Sequence, residues 1–147
     1  MLDSLFLIPK SVRYLAVVAL ATVVLLCSTL GPFRSVTGQG VSAQAANGRL
    51  WTCLVPVSAA DVWFVSSYRS TEVECTIDFE AFENWCRSNA WQLERIDNPK
   101  GEIARSLRDG YVRVYRGYSF STIIGDLGYS GYYDADRKRA SVSYVGG

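Results

Sequence analysis

The chain contains no histidine. That absence removes Ser-His-Asp and Cys-His nucleophile pairs, imidazole acid–base chemistry and every zinc site with a histidine ligand. An excess of one charge is lacking as well. The 15 Lys+Arg stand against 14 Asp+Glu, a formal net charge of +1, so bulk electrostatic attraction does not hold this protein to nucleic acid. Methionine occurs once and cysteine four times, with no CxxC pair, too few and too scattered for a metal centre. No repeat of about 20–50 residues recurs, which excludes a solenoid. Gly125-x-x-Gly128-x-x-Gly131 has no helical pattern after it and is not a dinucleotide fingerprint. No cofactor is expected.

What is present starts with an address. From Tyr14 to Phe33 the chain runs 20 residues without a charge, and a bilayer's hydrocarbon layer takes about 20 apolar residues as helix. Lys10 and Arg13 precede the run, which favours an N-terminus held in the cytoplasm. The pattern predicts a cytoplasmic segment over 1–13 and a transmembrane anchor over 14–33, with the lipid bilayer as partner. The remainder would lie outside, making a single-pass protein of the cell membrane. The alternative is a secretory signal with Leu15–Cys27 as its apolar region, cut after Ala43-Gln44-Ala45 to leave a secreted protein. Gly31-Pro32 ends the helix in either case. Residues 34–48, rich in Gly, Ser, Ala and Gln and free of aromatics, read as a flexible tether.

Residues 49–147 are long enough for one modest core and read as an exported α+β domain. Leu50–Val57 predicts a strand with Trp51, Cys53, Val55 and Val57 on one face. Val62–Ser67 is a nearly continuous apolar run, the mark of a buried strand. Val73, Cys75 and Ile77 alternate with Glu72, Glu74 and Thr76, which describes a strand with one solvated face. Asp78 caps a helix over Phe79–Ser88, whose Phe79, Phe82, Trp85 and Cys86 fall at helical spacing, and Asn89 ends it. Trp91–Ile96 returns as a strand, residues 98–101 turn, and Tyr111–Arg116 forms another strand. Gly117–Gly131 reads as a loop, and Tyr132–Tyr133 with Ala140–Val145 as a terminal hairpin. One helix and short connections imply a small antiparallel sheet with the helix packed on one face.

The chemistry-bearing residues are few. An oxidising exterior favours a disulfide. Cys75 and Cys86 lie at matching depths if the helix folds back over its own strand, while Cys53–Cys75 across neighbouring strands is the rival. Glu72 and Glu74 stand at i and i+2 on one strand face, roughly 6–7 Å apart, the separation of paired carboxyls in glycoside hydrolases. Any strand face with alternating Glu has that spacing, so the catalytic signal is weak. Asp134-Ala135-Asp136 resembles a metal-binding DxD but lies where a polar hairpin loop belongs.

Arginine and tyrosine interleave at Tyr111, Arg113, Tyr115, Arg116 and Tyr118, and seven of the nine tyrosines fall between Tyr111 and Tyr144. Both types join a large contact area to a polar tip and are favoured at recognition surfaces. The expected function is therefore a membrane-tethered, extracytoplasmic protein-binding or accessory domain with no evident catalysis and no cofactor. A small exported carboxylate-dependent hydrolase and a secreted glycan-binding module are the alternatives.

Overall fold

The computed structural model describes residues 9–30, 35–50 and 52–146, the side chains of 10 and 27–30 excepted. Contacts divide the chain into two units, Met1–Arg34 and Ser35–Gly147. The described part of the first is α1 (Lys10–Leu30). Among the described residues no helix is long and apolar enough to cross a membrane. The uncharged part of α1, from Tyr14 to Leu30, covers about 25 Å at about 1.5 Å per residue, short of the roughly 30 Å of hydrocarbon. The expected anchor counted residues through Phe33 as helix, and 31–34, with Gly31-Pro32, lie outside the described residues. The transmembrane helix, the single-pass placement in the cell membrane and the bilayer as partner are thereby overturned. Residues 1–8 of the expected cytoplasmic segment also lie outside the described residues.

The second unit begins earlier than the sequence suggests. The expected tether over 34–48 holds β1 (Val36–Val41) and α2 (Ala43–Asn47). The Ser42 hydroxyl caps α2 by accepting the Ala45 N–H, and Ala43 and Ala46 are buried in the core. Alanine and glycine read as linker composition, yet here they are small because they pack closely: a Cβ on Gly38 would lie 2.2 Å from the Phe64 ring. A cut after Ala45 would remove an edge strand and split a core helix.

Then follow β2 (Ala60–Ser66), β3 (Ser70–Thr76), α3 (Phe79–Ser88), β4 (Glu94–Ser106), β5 (Gly110–Ile124), β6 (Leu127–Asp134) and β7 (Arg139–Gly146). The seven strands form one sheet in the order β1-β2-β3-β7-β6-β5-β4, antiparallel at every pairing. This corrects the expected α+β plan of a small sheet with one helix, since the sheet dominates the described residues. The expected strand Leu50–Val57 is irregular chain instead. The Asn47 side chain holds it, donating to the Val55 carbonyl and accepting the Val55 N–H, both at 2.8 Å. Trp51 lies outside the described residues.

The register sorts residues onto two faces. On one, Val73, Val142, Gly131 and Phe120 stand in a row across β3, β7, β6 and β5, beside Cys75, Ala140, Tyr133 and Tyr118. Against this face α3 buries Phe82, Trp85 and Cys86. Its start is set by Asp78, which accepts the Ala81 N–H at 2.9 Å, and by the helical spacing of those three residues. Phe82 stacks on Tyr133 and Trp91 on Phe120. The opposite face is polar: Glu72, Ser143, Ser130 and Ser121 in one row, Glu74, Ser141, Tyr132 and Ser119 in the next.

β5 is the element that makes a site. Residues Gly117–Ile124 pair with β6, whereas Gly110–Val114 pair with β4 alone. The β4–β5 hairpin beyond Gly117 is thus a two-stranded arm. Ladder irregularity between Asp97 and Glu102, with Gly101 at φ 67°, bends its other strand, so the expected turn at 98–101 is a kink inside β4. Gly117 permits the bend, because a Cβ there would lie 1.8 Å from the Tyr133 carbonyl oxygen. The expected loop Gly117–Gly131 is a hairpin, and at Gly117 and Gly131 the strands approach too closely for a side chain. Gly117→Val is expected to lower unfolding free energy by at least about 3 kcal/mol. Gly125→Ala, at a positive φ but with no atom within 4 Å, is expected to cost about 1 kcal/mol. Urea melts of the two variants check the difference.

Candidate functional site

The arm lies back across the polar face of the sheet, and one carboxylate holds it there. Glu74 is 2 % exposed. Its Oε2 accepts from the Ser106 hydroxyl at 2.8 Å and from the Leu107 and Arg108 N–H groups at 2.6 and 3.3 Å. Its Oε1 accepts from Arg139 Nε at 2.8 Å. The donors come from the arm tip and from β7, so a buried negative charge is satisfied only when the arm is docked. Arg139 also donates through Nη1 to Asp61 at 2.8 Å, and Asp61 takes further bonds from Arg108 Nη1 and the Trp63 indole, both at 3.0 Å.

The titration behaviour follows from these contacts. The Arg139 hydrogen bond holds the Asp61 carboxyl below its ordinary range. Partial burial opposes this, and the Trp63 bond and the charges of Arg139 and Arg108 add to it. Burial alone would lower the Arg139 pKa, but its bonds and charge contacts with Asp61 and Glu74 reverse that and raise it. Burial and the neighbouring carboxylates Glu74 and Asp134 push the Tyr132 phenol up. It stays protonated and donates to the Arg105 carbonyl at 3.0 Å, a second tie between arm and sheet.

Glu72 and Glu74 share a face, but not as a catalytic pair. Glu74 is occupied by four donors, and Glu72 pairs with Arg105 at 3.2 Å. Neither is a free carboxyl. The solvated strand face expected there is covered by the arm. Asp134 of the DxD is buried and accepts the Asp136 and Arg137 N–H groups, while Asp136 pairs with Arg116. Both hold the β6–β7 turn. Among the described residues no group of three metal-ligating side chains occurs.

Cys75 and Cys86, the candidate disulfide, are free buried thiols, and Cys53 is free and half-buried. Burial, the leading cause in each, pushes all three up to about 12. They are protonated small hydrophobes rather than nucleophiles.

The five Tyr/Arg candidates separate. Tyr118 stacks on Phe79 with ring centroids 4.5 Å apart and joins the core side. Arg116 is engaged with Asp136. Tyr111, Arg113 and Tyr115 remain together, alternating along the outer face of the arm. There Ile103 stands opposite Arg113 and Tyr115 packs on Gly101. Tyr111 is 76 % exposed, Ile103 67 % and Tyr115 44 %. Arg113 donates to the Lys100 carbonyl at 3.0 Å, which fixes its stem while leaving donors free.

Sequence reasoning missed Asp61, Ser106, Arg108 and Arg139. The one available signal was a charged residue at the start of each of two apolar strands, Asp61 in β2 and Arg139 in β7. Nothing local pairs them. No family model matches the chain, and no curated protein or solved structure matches it either.

Removing Glu74 leaves Arg139 buried beside orphaned arm N–H groups. Glu74→Ala is expected to cost about 3–5 kcal/mol and to speed amide hydrogen exchange at Leu107 and Arg108. Unchanged exchange there would refute the clamp. For Asp61 the folded pKa is depressed, so its stabilising effect is present above the unfolded value near 3.8 and is lost as pH falls through the folded value. Asp61→Asn is expected to flatten the acid side of the melting-temperature profile below about pH 4. A profile parallel to that of the unaltered protein contradicts the assignment.

Proposed function

We propose that this domain is a protein-binding module that docks its partner on the outer face of the β4–β5 arm. The observation that carries the reading is the exposure of Tyr111, Ile103 and Tyr115 around Arg113 on a hairpin clamped from beneath. Exposed aromatic and arginine side chains are the types that dominate interface energetics, and a rigid platform reduces the ordering cost of binding. Lys100, Arg105, Arg108 and Arg113 make the arm basic against Glu102 and Asp109. The partner surface that fits is acidic at its rim and apolar at its centre. No catalytic role is assigned, because Glu72 and Glu74, which share a strand face, are consumed by arginine and arm donors.

The test is a photo-crosslinking side chain placed at Tyr111 in the full chain. One discrete protein adduct is expected, reduced at least tenfold by Arg113→Glu while the melting temperature is unchanged. An adduct pattern insensitive to Arg113→Glu, or no adduct, overturns the reading.

A further inference from the structure

Docking of the arm encloses space on the sheet's polar face. Two adjoining cavities of about 240 and 290 Å³ share Arg105, Ser141 and Ser143 in their walls. Together they make one cleft at the lower end of the size that small-ligand sites have. Its floor is a block of hydroxyls. Ser130 stands directly opposite Ser143, and Tyr132 opposite Ser141. The hydroxyls of Ser130, Ser141 and Ser143 make no hydrogen bond with another described residue, although their neighbours Glu72, Glu74 and Tyr132 are all engaged. The Arg105–Glu72 ion pair at 3.2 Å forms part of the wall.

The lining states what it accepts. One guanidinium and one carboxylate cancel, so a phosphate meets a repelling Glu72 and an ammonium a repelling Arg105. Three unused hydroxyls, each a donor and an acceptor, suit a ligand whose own groups are both. An apolar strip completes the cleft. Gly131 carries no side chain, and Ala104 on the arm supplies C–H groups to the lining. Hydroxyl-rich on one side and C–H on the other describes one hexose-sized ring.

We propose that the cleft between the arm and the strands β6 and β7 binds a neutral sugar unit, held by Ser130, Ser141, Ser143 and the Arg105–Glu72 pair. This site lies under the arm and does not rest on the outer-face reading, so each can fail alone. The same chemistry fits a free monosaccharide or the end of a glycan chain.

The experiment is an amide NMR titration of the full chain. The probes are methyl α-glucoside, methyl α-mannoside, methyl β-galactoside, N-acetylglucosamine and its trimer, with sodium phosphate as the anionic control. At least one neutral sugar is expected to move the Ser130, Ser141 and Ser143 amides saturably. The double variant Ser141→Ala/Ser143→Ala is expected to weaken that binding about tenfold, as loss of two hydrogen bonds implies, with the melting temperature retained. Tighter binding of the trimer than of its monomer assigns a chain end, and equal binding assigns the free unit. Both sustain the site. Absence of a saturable shift with every neutral sugar, shifts with phosphate alone, or shifts confined to Tyr111 and Arg113 would overturn it.

Discussion

A carboxylate taken out of water must be met by donors on both oxygens or give up its charge. Glu74 is met by four donors, and they lie 32 to 65 residues away along the chain. Those bonds form together only when the arm rests on the sheet and β7 has paired with β3. The cost of burying the charge is thereby turned into a condition on tertiary structure: an undocked arm leaves Glu74 and Arg139 without their partners. Asp61 extends the condition to β2 through Arg139 and to the arm through Arg108.

The two faces of the sheet divide the work. The α3 face is closed by aromatic and aliphatic packing, with Trp91 on Phe120 and Phe82 on Tyr133, and its stability is that of apolar area removed from water. The arm face is closed by hydrogen bonds and ion pairs around hydroxyls, which leaves cavities and an exposed outer surface. Exposed pairs such as Arg105–Glu72 contribute little to stability, so they are free to serve recognition. The fold thus concentrates rigidity on one side and adaptable polar groups on the other.

Several elements were legible because their signals are local. An Asp cap, a first-turn glutamate and apolar residues at helical spacing place α3, and strict alternation places β3. The alternation could not say which face meets water. Val73 and Cys75 face α3, as an apolar row must, but the Glu72–Glu74 row faces another part of the chain, and period two carries no record of what lies opposite. Glycine misled in the other direction. At Gly38, Gly117 and Gly131 it marks close approach within a sheet, whereas in sequence it carries the same letter as a flexible linker. Of the Tyr/Arg cluster, three residues stay on one surface. The bend at Gly117 sends Tyr118 to the core and Arg116 to the β6–β7 turn.

By itself the amino-acid order determined the chemistry excluded by the lack of histidine, the near-zero charge, the helix after Asp78 and the apolar strand faces. Those depend on composition or on neighbours within a few residues. Tertiary structure alone decided that Glu74 is buried, that Asp61 and Arg139 meet, that residues 36–47 are strand and helix, and that an arm covers a hydroxyl-lined cleft. Each of these is a contact between distant segments, and its free energy exists only once the intervening strands have paired.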